Sequence, residues 1–197
     1  MAATSTMLPL GTSAPAFTLP DVISGDLVSS SDYAGSKGLL VMFICNHCPY
    51  VQHVRDQLAK FGRDYSGRDL GIVAISANDP AAYPDDSPEM MKIEAETYGY
   101  TFPYLYDEDQ SVAAAYTAMC TPDFFLFDSD HNLVYRGRFD ETRPNMGVPA
   151  NGSDLRAAVD ALLAGEPVSS EQWPSMGCSI KWRPGNTPSH VGALTIA

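Results

Sequence analysis

A short apolar run, Gly38-Leu-Leu-Val-Met-Phe-Ile44, leads without a break into Cys45-Asn-His-Cys48. A continuous run of this length is the pattern of a strand buried on both faces. Beyond it Val51, Val54, Leu58, Phe61 and Tyr65 recur at steps of three and four, giving one apolar helical stripe. Pro49 suits the first turn of that helix, where its missing N–H costs nothing, and Gly67 supplies the stop. Leu70-Gly-Ile-Val-Ala-Ile-Ser76 is a second buried strand. Two buried strands joined by an amphipathic helix commit this part of the chain to a right-handed βαβ unit.

The remaining segments extend that unit. Phe17-Thr-Leu19 and Leu27-Val28 flank Ser24-Gly25 as a small hairpin. Ser87-Pro88-Glu89 reads as an N-cap, an N1 proline and a first-turn acid, opening a helix that ends at Gly99. Asp109 is placed to cap a short helix through Val112, Ala115, Tyr116 and Met119. After Thr121-Pro122, the strand Phe124–Phe127, a polar turn and the alternating segment Leu133–Phe139 form a hairpin. A last helix is capped at Ser153 and ends at Gly165. The expected class is α/β: a mixed central sheet with helices on both faces, an N-terminal β-hairpin and a helical insertion. Residues 1–10 are expected as a flexible arm, 11–165 as the domain, and 166–197 as an irregular C-terminal tail.

Charge limits the partners. Twelve basic residues against 24 acidic ones give −12 over 197 residues. Such a field repels phosphate backbones and anionic lipid, which disfavours nucleic acid and membrane surfaces. Nine carboxylates lie between Asp79 and Asp109 against one base, Lys92, and are expected to form a solvated face. The D-x-[DN]-x-[DN]-G pattern of a calcium loop is absent there. No apolar run approaches a membrane span, and the first ten residues lack a basic and then apolar leader, so a cytoplasmic protein is expected.

The four cysteines are Cys45, Cys48, Cys120 and Cys178. Cys45 and Cys48 fall where the strand hands over to the helix, beside unpaired backbone N–H groups and the positive end of the helix dipole. That environment favours thiolate over thiol. Cys45 is expected nearer solvent and is the candidate nucleophile; Cys48, one turn in, is the resolving partner. His47, as an imidazolium, would stabilise the thiolate. Cys45, His47 and Cys48 could also be three metal ligands with a fourth from His53, Cys120 or Cys178, but no second ligand motif supports it. No metal and no cofactor is expected.

Strand, C-x-x-C, helix, strand and a later Thr-Pro before a hairpin resemble the thioredoxin superfamily. Gly11-Thr-Ser-Ala-Pro-Ala-Phe-Thr-Leu-Pro20, with Gly25 and Ser31-Asp-Tyr33, is similar to the N-terminal hairpin of its alkyl hydroperoxide reductase/thiol-specific antioxidant (redoxin) branch. The resemblance covers roughly residues 11–165. It implies a cis Pro122 whose loop faces the cysteine pair, a Thr121 backbone able to pair with an extended substrate, and orienting roles for Asn46, His47, Thr121 and Pro122. The sequence departs from the pattern at several points. Ile44 stands where a tryptophan is usual, and Asn46-His47 stands where Gly-Pro is usual and is closer to oxidising members. Strand 38–44 carries no acid where thioredoxins keep a buried carboxylate, and residues 78–119 form a long insertion. Cys120, two residues before Pro122, and Cys178, in a tail that Ile180 and Trp182 could dock, are candidate additional redox thiols.

The expected activity is thiol–disulfide exchange through Cys45 and Cys48, on protein or small-molecule disulfides with an unidentified thiol electron donor. The alternative is a peroxiredoxin-like antioxidant peroxidase using Cys48, with Arg136 or Arg138 polarising the peroxide. Against it, the upstream proline of P-x-x-x-[ST]-x-x-C is replaced by Val41 and its Thr/Ser by Cys45. A copper-handling module is a lesser reading, because copper carriers on this fold use two cysteines and a histidine.

Overall fold

The computed structural model describes residues 2–192. In chain order the strands and helices are β1 (Ala2–Thr4), β2 (Thr18–Pro20), β3 (Leu27–Ser29), β4 (Gly38–Phe43), α1 (Pro49–Asp64), β5 (Leu70–Ser76), α2 (Pro88–Tyr98), β6 (Tyr104–Tyr106), α3 (Ser111–Ala115), β7 (Cys120–Thr121), β8 (Asp123–Asp128), β9 (Leu133–Gly137), α4 (Ser153–Ala164), β10 (Met176–Ser179) and α5 (Ser189–Gly192). The central sheet has the order β6-β5-β4-β8-β9. β4 runs parallel to β5 and antiparallel to β8, so the sheet is mixed as expected.

Every residue of β4 is buried, because the strand has neighbours on both edges and a packed core on each face. Leu40 and Met42 face one core with Val51, Val54, Leu58 and Phe61 of α1 and with Leu155 and Val159 of α4. Leu39, Val41 and Phe43 face the other, with Tyr116, Phe125 and Phe127. This alternation is why the strand reads as an unbroken apolar run and not as a half-polar one. β2 and β3 form the expected antiparallel hairpin.

Several elements differ from expectation. β6 went unread because it is three residues long; it pairs parallel to β5 and forms the sheet edge. α4 is capped by Gly152 in the left-handed region (φ 71°), not by Ser153. Asp140 Oδ2 accepts the N–H groups of Asn151 and Gly152 at 2.7 Å each, so a distant carboxylate meets donors that a local cap would otherwise take. The acidic run is not wholly a solvated face, since Asp86 and Asp107 are fully buried.

The two ends of the domain differ most. β1, expected as a flexible arm, pairs antiparallel with β10, which lies in the tail expected to be irregular. β10 also pairs antiparallel with β7, giving a second sheet of order β1-β10-β7. Neither short strand carries a periodic signal of its own; each is specified by its partner. Ile180 and Trp182 pack into the second core and anchor this segment.

Candidate active site

The amide of Ile44 donates to Ile75 O at 3.0 Å, which carries the sheet pairing one residue past β4. Cys48 then serves as the N-cap residue of α1, with Pro49 at the first helical position. The two sulfurs therefore sit at the strand-to-helix junction. Thr121 touches both: its hydroxyl lies 3.1 Å from Cys45 Sγ, and its carbonyl accepts from Cys48 Sγ at 3.1 Å. The Thr121–Pro122 peptide is cis.

The pair is closed off from solvent. Cys45 is 1% exposed and Cys48 0%, so Cys45 does not lie nearer solvent as expected. The proton distribution also differs from expectation. The hydrogen bond with Cys48, burial and the nearby Asp86 carboxylate all push the Cys45 thiol well above its ordinary range. Cys48 is brought down to about 5, chiefly by the hydrogen bond from Cys45, with further help from Cys178 and from the Val51 amide in the first turn of α1. In the fully protonated pair Cys48 donates to Thr121 O; once one proton leaves, the charge settles on Cys48. Helix N-terminal stabilisation was legible in the sequence, but it acts on the second sulfur.

Asp86 is the residue that sequence reading missed. It comes from the 3-10 turn Pro84–Asp86 inside the insertion and is 0% exposed. Its Oδ1 accepts the backbone N–H groups of Asn46 at 2.8 Å and His47 at 3.1 Å. Its Oδ2 accepts from Asn78 Nδ2 at 2.7 Å and pairs with His47 Nδ1 at 2.5 Å. One carboxylate thus shapes the C-x-x-C loop and fixes the orientation of the imidazole. His47 also stacks on Tyr83, with ring centroids 4.8 Å apart, and its Nδ1 is 4.0 Å from Cys45 Sγ. Asn46 is held by Tyr104 Oη, which donates to its Oδ1 at 3.1 Å, and by its own donation to Asp85 O at 2.9 Å. Nothing local in Tyr83-Pro-Asp-Asp86 distinguishes Asp86 from its acidic neighbours.

The other candidate residues divide. Cys120 is buried, its thiol donates to Pro122 O at 3.7 Å, and burial pushes its pKa well up. Cys178 stands opposite Thr121 in the β10–β7 register and packs against the core cluster that contains Cys48. Arg136 is occupied by Leu8 O and Gln172, and Arg138 by Asp154, so neither meets the role considered for it at the cysteines. His53 bonds Thr142 at 2.8 Å, away from the place of a fourth ligand. Among the described residues, Cys45, His47 and Asp86 could jointly hold an ion, with ligand atoms within 4.8 Å of one another. The Asp86 oxygens are already committed to the loop amides and Asn78.

Asp123, at the start of β8 opposite Phe43, supplies a fully buried carboxylate that strand 38–44 lacks. Neither of its oxygens has a hydrogen-bond partner, and burial raises it to about 8.

The AhpC/TSA family model matches residues 10–136, nearly two thirds of the chain. The chain belongs to the AhpC/TSA family. Thioredoxin domains of known structure share its fold. A crystal structure of an uncharacterized conserved protein from Geobacillus kaustophilus superposes with a TM-score of 0.91 at 53% identity, covering 94% of this chain and 98% of that one. A Mycobacterium tuberculosis protein named "Putative peroxiredoxin" is 33% identical over 118 residues, 58% of this chain and 67% of its own length. The thiol-disulfide oxidoreductase ResA of Geobacillus kaustophilus is 28% identical over 127 residues, 64% of this chain and 67% of that one. The AhpC/TSA match covers the cysteine pair and the Thr121–Pro122 loop, whereas β10 with Cys178 lies outside it.

Proposed function

We propose that this protein is a thiol–disulfide oxidoreductase whose Cys45 and Cys48 exchange hydrogens for a disulfide in a protein or small-molecule substrate. The observation that carries this reading is the pair of sulfurs at the β4–α1 junction, both in contact with Thr121. Cys45 attacks one sulfur of the substrate disulfide, and its proton goes to the departing sulfur, which leaves as a thiol. Cys48, already a thiolate, then attacks Cys45 of the mixed disulfide and releases the second substrate sulfur as a thiolate, which takes a proton from water. The products are the Cys45–Cys48 disulfide and two substrate thiols. The low pKa of Cys48 keeps it a thiolate at neutral pH, ready to resolve the mixed disulfide. Asn46, His47 and Asp86 keep the loop in the geometry that this second attack requires.

The peroxidase reading has less support. A peroxide at Cys48 needs a cationic donor beside it, and Arg136 and Arg138 are engaged elsewhere. The test is reduction of a protein disulfide with a dithiol as electron source. Cys45→Ser and Cys48→Ser should each lower turnover by at least a hundredfold; a Cys45→Ser protein as fast as the parent would refute the proposal.

A further inference from the structure

β10 occupies the edge at which an extended substrate would pair with Thr121. Its Cys178 is the register partner of Thr121, and its Ser179 the partner of Cys120. The approach is close. A Cβ on Gly177 would sit 2.0 Å from Thr121 O and 2.6 Å from Thr121 C, so only glycine admits the strand here. Both flanks are tied down. Ser175 exchanges hydrogen bonds with Ser5, and Lys181 N donates to Asn78 Oδ1 at 2.8 Å. The segment is thus held in register, with Cys178 opposite Thr121 and packed against the core cluster that contains Cys48.

Exposure separates the four cysteines. Cys45, Cys48 and Cys120 are buried, and Cys178 alone is partly exposed. An incoming thiol therefore meets Cys178 first.

We propose that Cys178 is a third redox thiol, a resolving cysteine on a strand laid over the pair, through which an external thiol reduces the buried disulfide. The inference rests on the exchange proposed for Cys45 and Cys48. In the first step the Cys178 sulfur attacks Cys48 of the Cys45–Cys48 disulfide. The Cys48–Cys178 bond forms, the Cys45–Cys48 bond breaks, and Cys45 leaves as a thiolate that takes up the proton Cys178 has lost. In the second step a donor thiolate attacks Cys178 and releases Cys48; a second donor thiol completes the reduction by forming the donor disulfide. The first step moves no electrons to or from the protein, and the second consumes two donor thiols.

The charges favour this order. In the reduced protein Cys178 is raised to about 11, by burial first and then by the neighbouring Cys48 thiolate. Once Cys48 is held in a disulfide, its negative charge is gone and that contribution vanishes, which makes Cys178 easier to ionise when it has something to attack. Released Cys48 is a good leaving group, since its thiolate is the stabilised one.

The experiment uses the full chain and oxidised glutathione as the disulfide. Cys45→Ser protein is oxidised, quenched with acid, alkylated and mapped by mass spectrometry of its peptides. A Cys48–Cys178 cross-link is expected in most molecules, with free thiols falling from three to one. A glutathione adduct on Cys48 with Cys178 still alkylated would overturn the proposal. Wild-type protein in a glutathione redox buffer gives a second readout that does not depend on the variant folding. Cys45–Cys48 and Cys48–Cys178 bonds should both appear, and Gly177→Ala should lower the second at least tenfold. A Cys45–Cys48 bond at every buffer ratio with Cys178 always reduced would end this inference and leave the exchange at Cys45 standing. No intramolecular bond in either protein would sink both.

Discussion

Asp86 links the acidic insertion to the chemistry of the cysteines. It accepts the amides of Asn46 and His47 and pairs with the His47 ring, and its charge is one of the causes that raise Cys45. Asp86→Asn should lower stability by about 1–3 kcal/mol, since buried donors lose an acceptor, while bringing the Cys45 thiol down. Chemical denaturation and the near-ultraviolet absorbance of thiolate against pH report the two effects. The same titration tests the proton distribution within the pair. Reduced wild-type protein should show a thiolate step near pH 5, which Cys48→Ser removes. Cys45→Ala should move that step upward, because the hydrogen bond from Cys45 is the largest cause of the depression. A step that stays in place in Cys45→Ala would assign the low pKa to the other neighbours of Cys48, which are Cys178, Thr121 and the Val51 amide.

At the scale of elements, β10 matters more than its four residues suggest. It fills the gap between β1 and β7 and brings a thiol from the far end of the chain to the β4–α1 junction. Gly177 has no room for a side chain over Thr121, so Gly177→Ala must shift backbone against backbone. The strand should loosen while the central sheet, which shares no pairing with β10, stays intact. The expected signature is faster alkylation of Cys178, by tenfold or more, which corresponds to about 1.4 kcal/mol of local opening. Far-ultraviolet circular dichroism should change little. A variant that loses all structure instead would make β10 part of the global folding unit.

For the molecule as a whole, the buried charge with the clearest pH consequence is Asp123. It is fully buried, unpartnered and raised to about 8, against an ordinary value of about 3.9 in an unfolded chain. Across pH 4 to 8 the native state therefore keeps a proton that the unfolded chain has given up. By linkage, this burial subtracts stability as pH climbs through that window, by up to about 1.4 kcal/mol per pH unit. Asp123→Asn removes the titration. The variant's melting temperature, relative to the parent, should rise between pH 5 and pH 8; an offset independent of pH would show that Asp123 does not titrate in that range.

The βαβ unit was legible from residues 38–76 because two-sided burial writes an apolar run, and one-sided burial writes a stripe at helical spacing. The C-x-x-C pair and the Thr121-Pro122 loop could be read for a similar reason: local backbone geometry fixes where they fall. Asp86, Asp123 and Cys178 could not be read in this way. Their environments are set by residues 39, 80 and 130 positions away along the chain, and a carboxylate or thiol carries no periodicity that announces a partner so distant. Local pattern alone set the longer helices, the longer buried strands and the two sulfurs at their junction, but not β6 or β10. Only tertiary structure decided which sulfur takes the charge, which acid holds the loop and which strand lies over it, because burial and hydrogen bonding between distant segments exist only once the chain has closed.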